Sequence, residues 1–491
     1  MNPTLAAPAL VAPVISFQAI GPVLVLAITA LALLVLDLLP PRDRKEHLGV
    51  VGLAGIVGSL VVSLYLWGAD ERAFKGMVIL DGFAIFFNLV IGFGVGLVLL
   101  QSLDYARRQG AGSGEFYILV ILAAVGMTLM AGAGDLIVVF LGLETMSLAL
   151  YVLAGSFRGR IESGEASMKY FLLGAFASGF FLYGIALVYG ATGSTNIDRI
   201  AAAIGSGSAR DPLLVVGFGL LVVGFGFKIS TVPFHMWVSD VYQGAPTSIT
   251  VLIATGSKAA AFAALMRVLL VALRQGQADW ALLMWGLAVL SMTVGNVVAI
   301  AQQNVKRMLA YSSVAHVGYI LVGVVAGGAP GNAGVLFYLL AYTFTTAGAF
   351  GVVLLLERSG REAVETDDFA GLATRHPVIA LVMTIFLLSL VGIPPTAGFV
   401  GKFYLFGAAV RSGYVWLAVL GVLNSAIAAY YYLRIVVVMY MREPEGAPTT
   451  LVPSWGGSLA LLVALCGVVW LGVMPAPYFD LAQTALAPLL R

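Results

Sequence analysis

The sequence predicts an all-α polytopic membrane protein of about fourteen transmembrane helices. Of its 491 residues, 60% are hydrophobic and only 10% are charged, and the mean hydropathy is +1.00. These values lie far from the averages of soluble proteins. Apolar runs of about 20 residues, the length that crosses a bilayer as a helix, recur along the whole chain. The net charge of +2 is too small to indicate a nucleic-acid partner.

The apolar segments can be placed in order along the chain. The fourth and fifth are separated by little more than Ala133 and Gly134, and the seventh and twelfth are long and interrupted. The predicted spans cover approximately residues 20–39, 48–67, 80–101, 116–133, 135–155, 167–190, 213–243, 247–272, 279–301, 305–326, 331–356, 375–410, 413–441 and 453–474.

The distribution of lysine and arginine predicts the orientation of these spans. Loops that follow odd-numbered spans are richer in basic residues than loops that follow even-numbered spans, and they include Arg42, Arg44, Arg158, Arg160 and Lys306. Basic loops tend to remain on the cytoplasmic side. The odd loops are therefore predicted to be cytoplasmic, and an even number of spans then places both termini on the outer side.

Span seven contains a charge and a break at membrane depth. Lys228 follows an unbroken apolar run, and Pro233 removes a backbone donor five residues later, so the helix is expected to break there and to resume before Tyr242. His235 follows the proline directly. Charges and breaks are tolerated inside a membrane where they face protein or water. This combination is typical of an ion pathway.

Span twelve repeats this pattern. Pro394 and Pro395 interrupt it, and Lys402 lies beyond the break. The two broken spans are five apart, so they cross in opposite directions, which predicts inverted repeats formed by spans 4–8 and 9–13. The expected units are an N-terminal three-helix segment, two five-helix repeats and a C-terminal helix, with boundaries at 1–115, 116–275, 276–442 and 443–491.

Five motifs in this order resemble the antiporter-like membrane subunits of respiratory complex I, which share ancestry with multi-subunit sodium/proton antiporters. The motifs are GLETMSLALYVL (142–153), FKISTVPFHMWVSDVYQGAPT (227–247), SKAAAFAALMRV (257–268), NVKRMLAYSSVAHVGY (304–319) and GIPPTAGFVGKFYLF (392–406).

Four features favour the smaller antiporter-like subunit over the two larger ones. Span eleven has neither the histidine nor the lysine that the larger subunits carry there (337–350), and the segment 367–377 is similar to that of the smaller subunit. Lys402 stands where one larger subunit has glutamate, and the chain ends soon after span fourteen.

The resemblance implies a redox-driven, proton-translocating subunit of the bacterial plasma (inner) membrane, with both termini on the periplasmic side. Its expected partners are other membrane subunits of complex I, including neighbouring antiporter-like subunits, and the lipid bilayer. We expect no cofactor in this chain, since NADH, FMN, iron–sulfur clusters and quinone would belong to partner subunits. Two alternatives stay open: a subunit of a sodium/proton antiporter, and a structural spacer that conducts nothing.

Glu144 and Lys228 form an ion pair in the family, and the resemblance carries that pair over to this chain. Glu144 lies about nine residues into span five, where an isolated carboxylate would be costly. A static pair that only fixes spans five and seven is the structural alternative, although buried pairs add little stability. We favour a functional role, since ionisable groups inside a membrane are functional by default.

The resemblance also assigns roles to two further lysines. Lys258, in mid-span among serine and alanines, corresponds to the central lysine that links two half-pathways, and its structural alternative is snorkelling to an interface. Lys402 corresponds to the terminal proton site facing the outer side. Its alternative is a lysine that caps the carbonyls of the preceding half-helix.

Two histidines complete the candidate set. For His316, which lies on a polar stripe with Ser312, Ser313 and Tyr319, a relay role is favoured. For His235, a relay role and a neutral hydrogen-bonding role beside the break are equally supported.

The remaining charged residues near the spans have structural interpretations. Arg267 is expected to snorkel near a helix end, and Arg434 to contact the neighbouring tyrosines 430–432. For Asp135 and Asp240, which lie near span ends, we predict helix capping.

Overall fold

A computed structural model describes residues 16–39, 45–108, 114–206, 211–358, 361–443 and 448–490. Within these ranges, thirteen helices are long and apolar enough to cross a membrane. The predicted span twelve consists of two half-helices of 15 residues, Pro377–Val391 and Ala397–Arg411, each too short to cross a membrane alone. The predicted all-α polytopic fold class is confirmed. The chain termini, Arg42 and Arg44 lie outside the described residues.

The helices are numbered here in chain order. They are α1 (Phe17–Asp37), α2 (Glu46–Tyr65), α3 (Gly82–Arg108), α4 (Gly114–Ala131), α5 (Leu136–Ala154), α6 (Ile161–Thr192), α7 (Ile197–Gly205), α8 (Pro212–Ile229), α9 (Val238–Gly244), α10 (Thr247–Leu252), α11 (Lys258–Arg267), α12 (Gln277–Ile300), α13 (Val305–Ala326), α14 (Gly328–Leu354), α15 (Leu372–Arg375), α16 (Pro377–Val391), α17 (Ala397–Arg411), α18 (Val415–Met441), α19 (Trp455–Val473) and α20 (Ala476–Leu490).

Span eight is one continuous helix whose regular winding is interrupted twice. Between α10 and α11 the chain makes a wider π-type turn at Ile253–Ser257, and a second π turn follows at Val268–Ala272. Such turns often accompany functional sites in helices. The first one directly precedes Lys258.

The centre of the bundle consists of α3, span eight, α13 and α14. Nearly every residue of these four spans is buried, whereas α1, α2 and α6 bury only about a third of theirs and turn the rest outward. A helix that is apolar on all sides belongs inside a bundle. The charged residues of the central spans are therefore surrounded by protein rather than by lipid.

The break in span seven begins three residues before the predicted proline. The helix α8 ends at Ile229, and Ser230 adopts a left-handed conformation with φ 70°. Side chains satisfy the freed backbone groups: the Trp237 indole donates to the Phe227 carbonyl at 3.1 Å, and the Val232 amide donates to the Ser291 hydroxyl at 3.0 Å. Buried partners of this kind make a break tolerable at membrane depth.

Span twelve is interrupted in the same way. The helix α16 ends at Val391, Gly392 has φ 92°, and α17 begins at Ala397. The Gly398 amide donates to the Ser389 hydroxyl at 3.1 Å. Both breaks thus use a left-handed residue to end the first half-helix and a serine to bind a freed amide.

Several elements were not predicted. The short helix α7 buries Ile197, Ile200 and Ile204 on one side, and α20 follows α19, so residues 443–491 hold two helices rather than one. Two small antiparallel sheets lie in the connections: β1 (Glu71–Ala73) with β2 (Val78–Leu80), and the order β4-β3-β5 for β3 (Leu356–Arg358), β4 (Arg361–Glu362) and β5 (Thr450–Leu451). Short, weakly apolar elements fall below the length criterion that finds spans.

Candidate functional site

Lys258 is fully enclosed between span eight and α13. Its ammonium donates to Ser313 twice, to the hydroxyl at 2.6 Å and to the carbonyl at 3.1 Å. The Ser313 hydroxyl in turn donates to the Tyr242 hydroxyl at 3.4 Å. With its side chain 1% exposed, Lys258 does not snorkel to an interface. The geometry therefore places a buried ammonium within a chain of hydroxyl groups.

His316 continues this chain along α13. Its Nδ1 lies 2.6 Å from the Tyr338 hydroxyl, and its Nε2 lies 3.2 Å from the Tyr432 hydroxyl. The Tyr432 hydroxyl is also hydrogen-bonded to Ser312, the neighbour of Ser313. Each imidazole nitrogen can donate or accept according to its tautomer. A histidine with a hydroxyl at both nitrogens is suited to passing a proton from one side to the other.

Lys402 lies beside the break in span twelve and caps the end of α16. Its ammonium donates to the carbonyls of Leu390 at 3.0 Å and Val391 at 2.8 Å, and it lies 4.5 Å from the ring centre of Tyr319. A cation at a helix C-terminus is favoured by the helix dipole and by the free carbonyls. Lys402 thus has the capping geometry that its structural role predicts. These hydrogen bonds hold the ammonium at the gap between the two half-helices.

A small cavity separates His316 from this break. Its volume is about 10 Å³, near the lower limit for one water molecule. The lining includes His316, Tyr338, Thr345, Ser389 and Gly398. Its inner surface is mostly apolar, so this gap is not by itself a site for a bound water.

Lys228 is held in a cage of aromatic rings. Its ammonium lies 5.3 Å from the ring centre of Tyr151 and 5.0 Å from that of Tyr170, whose hydroxyl accepts a 3.4 Å hydrogen bond from it. Cation–π contacts of this kind stabilise a desolvated ammonium. The third ring is that of Phe227, at 5.9 Å.

Glu144 has a different direct partner. The Ser178 hydroxyl donates to Glu144, and among the described residues no ion pair joins Glu144 to Lys228. Glu144 and Tyr151 are seven residues apart on α5, which places them on one face of that helix. The face of α5 that carries Glu144 therefore also supplies the Tyr151 ring of the Lys228 cage.

Aromatic contacts connect the Lys228 cage with the Lys258 site. Tyr170 stacks on Trp237 with ring centres 4.5 Å apart, and Trp237 contacts Tyr242 at 6.4 Å. Tyr242 is the residue whose hydroxyl accepts from Ser313. The resumed half-helix α9 thus brings the two lysine sites into one contact network.

His235 does not join this network. It is half-buried in the break of span seven, and its buried Nδ1 has no hydrogen-bond partner among the described residues. The neighbouring Met236 is exposed on the outside of the bundle. The structure thus groups Lys258, His316 and Lys402 around α13, through Ser313, His316 itself and Tyr319. It adds Lys228 through aromatic contacts, with Glu144 on the helix face that supplies Tyr151, and it leaves His235 at the edge.

Two predictions for the other charged residues are wrong. Arg267 does not snorkel: it makes two hydrogen bonds to Asp81, at 2.8 and 3.0 Å, and both side chains are at most 4% exposed. Asp240 is not a cap but pairs with Lys169 at 2.7 Å and Arg307 at 2.8 Å. The positions of Arg267 and Asp240 are set by ion-pair partners from distant parts of the chain, and the local sequence does not indicate these partners.

Asp135 and Arg434 have structural positions. Asp135 caps α5, as predicted, by accepting from the Ile137 amide at 2.9 Å. Arg434 binds the carbonyls of Ile300, at 3.0 Å, and of Gln302 at the end of α12. It fixes α18 against that helix end through the free carbonyls, rather than through the neighbouring tyrosines.

The hydroxyl groups of three buried tyrosines were the part of the site that sequence reasoning missed. Tyr170, Tyr338 and Tyr432 are fully buried, and each contacts a candidate lysine or histidine. A buried tyrosine usually finds a partner for its hydroxyl, so tyrosines inside apolar spans were the available signal. Within the described ranges, no group of three or more His, Cys, Asp or Glu residues is arranged to hold a metal ion.

Known proteins resemble this chain over most of its length. A family model described as "NADH:quinone oxidoreductase/Mrp antiporter, TM" matches residues 133–428. The NADH-quinone oxidoreductase subunit N of Trichlorobacter lovleyi is 48% identical over 473 residues, which are 96% of this chain and 97% of the relative.

Two solved structures share the fold. A chain of respiratory complex I from Thermus thermophilus with bound aureothin is 37% identical, with a TM-score of 0.79 over 94% of this chain and 99% of that chain. A chain of the Mrp complex from Dietzia sp. has a TM-score of 0.82 over 97% and 98% of the two chains. Its identity is 22%, so this likeness concerns the fold alone.

The buried lysines, the two broken helices and the family match define a class: the antiporter-like membrane subunits shared by NADH:quinone oxidoreductases and Mrp antiporters. Curated relatives at 48% and 45% identity, covered over nearly their whole length, are subunits N of NADH-quinone oxidoreductase. The chain belongs to that subunit N family, which confirms the preference for the smaller subunit. It is a multi-pass membrane protein, and subunits of this family occur with other membrane subunits in a complex.

Proposed function

We propose that this chain translocates protons as a membrane subunit of a bacterial NADH:quinone oxidoreductase. The observation that carries the proposal is the buried set of Lys258, His316 and Lys402 around α13 in the centre of the bundle. Lys258 binds Ser313, and the adjacent Ser312 is hydrogen-bonded to Tyr432, which contacts His316. The ring of Tyr319 lies against both His316 and the Lys402 ammonium. Ionisable groups inside a membrane are costly, and they commonly mark ion and proton pathways.

The second part of the proposed pathway contains Glu144 and Lys228. Within the part of the chain that the structure describes, the hydrogen-bond partner of the caged Lys228 ammonium is the neutral hydroxyl of Tyr170. An ammonium held by ring faces rather than by a carboxylate can respond to a change in the position of Glu144. We propose that motion of α5 relative to α8 brings Glu144 and Lys228 together during turnover and separates them again.

The energy for transport comes from outside this chain. Moving one proton against 100 mV requires about 2.3 kcal/mol. We propose that NADH, FMN, iron–sulfur clusters and quinone act in partner subunits of the same membrane assembly, and that this chain binds none of them. The proposed location is the bacterial inner membrane, with both termini on the periplasmic side.

Isolation of the intact assembly tests the proposal. A tag on this chain is expected to recover NADH-oxidising activity with quinone as acceptor, and NADH is expected to drive proton transport into proteoliposomes made from that preparation. Recovery of an assembly without NADH oxidation, which exchanges sodium for protons when a pH gradient is imposed, would instead establish the antiporter alternative.

The spacer alternative requires a different measurement. If the chain conducts nothing, replacing Lys258 leaves the number of protons transported per NADH unchanged in a fully assembled complex. The proton-translocating role predicts a lower number. The two outcomes distinguish a proton-translocating subunit from a structural spacer, and they require no assumption about the path that the protons take.

A further inference from the structure

Glu362 is a buried carboxylate outside the membrane spans. It lies on β4, in the connection between α14 and α16, and its side chain is only 6% exposed. A connecting loop normally keeps its charged groups in water. The unusual burial of this carboxylate indicates a specific partner set.

Four separate elements supply those partners. The hydroxyls of Tyr105 on α3 and Thr247 on α10 both donate to Glu362 Oε1, the latter at 3.0 Å. Arg160, which precedes α6, and Lys306 on α13 each lie 3.8 Å from Oε2. Glu362 therefore occupies the point where the ends of α3, α6, α10 and α13 meet.

Exposure decreases stepwise through this cluster. The side chain of Arg160 is 37% exposed, that of Glu362 is 6% exposed and that of Lys306 is 2% exposed. Arg160 belongs to one of the basic loops that are predicted to be cytoplasmic. The cluster thus leads from the predicted cytoplasmic surface to a buried lysine.

The inner end of the cluster points to the Lys258 site. Lys306 and Ser313 are seven residues apart on α13, so they lie on one face of the helix, about 10 Å apart along its axis. Lys306 also donates to the Ala245 carbonyl, at 2.8 Å, beside the start of span eight. Ser313 is the direct partner of Lys258.

From this geometry we propose that Glu362 and Lys306 form the proton-uptake pair for the Lys258 branch. Glu362 receives a proton from the cytoplasmic medium beside Arg160, and the loss of its negative charge allows Lys306 to release its own proton toward Ser313. Transfer of the proton from Glu362 to Lys306 then restores the carboxylate and the ammonium, so one proton enters the pair and one leaves it in each cycle. The inference rests on the proposed proton translocation and names its uptake site.

Other charged groups around Glu362 must be considered in a titration. Glu357 is its cross-strand neighbour on β3, and it pairs with Arg108 at 3.4 Å. Glu357 offers a matched control, since it is a carboxylate of the same sheet with a basic partner. The contacts with Thr247 and Lys306 are made by Glu362, whereas the ion pair of Glu357 is with Arg108.

The test uses the intact complex in proteoliposomes. Added NADH acts only on complexes whose NADH site faces the medium, so the pH of the medium sets the proton supply on the cytoplasmic side. The measured quantity is proton transport per NADH oxidised, as a function of the pH of the medium. The variants are Glu362→Gln, Glu362→Asp, Lys306→Arg and the control Glu357→Gln.

We expect Glu362→Gln to transport fewer protons per NADH and to lose the dependence on the pH of the medium. Lys306→Arg keeps the positive charge but does not release a proton, so it is expected to lose transport as well. Glu362→Asp retains a titratable group and should recover part of the transport with a shifted pH profile. Glu357→Gln should behave like the unmodified complex.

Two results would overturn the inference. One is a fully assembled Glu362→Gln complex with unchanged transport and pH profile. The other is normal proton transport, with a normal pH profile, by both the Glu362→Asp and the Lys306→Arg complexes. That result would refute the uptake pair even if Glu362→Gln does not assemble. Lys258→Met in the same preparations distinguishes failure of the uptake site from failure of the proposed function. Normal transport by Lys258→Met would refute the proposed function. Loss of transport in Lys258→Met together with normal transport in Glu362→Gln would refute only the uptake site.

Discussion

Lys258 and Ser313 are joined by two hydrogen bonds, at 2.6 Å to the hydroxyl and 3.1 Å to the carbonyl. The carbonyl holds the ammonium in place, and the hydroxyl connects it with Tyr242. One residue of α13 thus both positions the central lysine and offers it a route for a proton. Buried polar groups are stabilised by hydrogen-bond partners of this kind.

Ser313→Ala removes the hydroxyl and leaves the carbonyl. We expect assembly to be preserved and proton transport per NADH to fall, because the Lys258 ammonium keeps its position but loses its exchangeable neighbour. Proton transport by the reconstituted complex measures this. Thr384→Ala is a matched control, since the Thr384 hydroxyl donates locally to the Ala380 carbonyl of its own helix. Equal transport by both variants would contradict the role of Ser313.

Lys402 tests whether a helix cap is also a proton site. Arginine supplies donors for the Leu390 and Val391 carbonyls but does not deprotonate in proteins. We therefore expect Lys402→Arg and Lys402→Met both to lose proton transport, with assembly better preserved in the arginine variant. Full transport by Lys402→Arg would reduce Lys402 to a structural cap.

The Tyr338 hydroxyl is the direct partner of His316 Nδ1 at 2.6 Å. Tyr338→Phe removes only this oxygen, so we expect slower proton transport with little change in stability. Tyr404→Phe is the control, because the Tyr404 ring stacks on Phe479 of α20 rather than on the histidine. Transport rates are compared at saturating NADH. A normal rate in Tyr338→Phe would exclude this hydroxyl from the route.

The Asp81–Arg267 pair is expected to stabilise the fold. It joins the start of α3 to the end of α11, and both side chains are buried. Removing one partner of a buried pair costs about 3–5 kcal/mol, so Asp81→Asn should lower the unfolding temperature clearly. Asp198→Asn breaks the exposed pair with Arg72 and should cost about 0–1 kcal/mol. Thermal unfolding of the purified proteins compares the stability of the two variants. Equal decreases in unfolding temperature would contradict a stabilising role for the buried Asp81–Arg267 pair.

The same pair predicts a direction of pH dependence. Burial raises the pKa of Asp81, but the charge and hydrogen bonds of Arg267 outweigh burial and hold that pKa below its ordinary value. The stabilisation is therefore complete above the ordinary pKa of an aspartate and is lost as the pH falls through the lowered pKa. Asp81→Asn should unfold with less dependence on acidic pH than the unmodified protein does.

The sequence predicted the spans because length and hydropathy decide them. Pro233 in span seven and the pair Pro394 and Pro395 in span twelve likewise predicted both interruptions, although the first begins at Ser230 rather than at Pro233. A proline prevents the helix from continuing, but the residue that ends it is set by tertiary partners such as Trp237 and Ser291. Local sequence therefore predicts that a break occurs and locates it to within one turn.

The candidate site was predicted less completely than the fold. Lys228, Lys258 and Lys402 are recognisable because a lysine among apolar residues is rare. Their partners come from other helices, such as Tyr170 for Lys228 and Ser313 for Lys258. Pairing between helices depends on how the bundle closes, and no spacing along one span encodes it.

The most direct test of the account is proton transport per NADH by an assembled complex that carries Lys258→Met. Lys258 links the hydroxyl chain of α13 with span eight, so its replacement interrupts the proposed route while NADH oxidation continues in the partner subunits. We predict NADH oxidation with a reduced proton yield, and a matched exposed change, Arg72→Met, with a normal yield. An unchanged proton yield in an intact Lys258→Met complex would contradict the proposed relay.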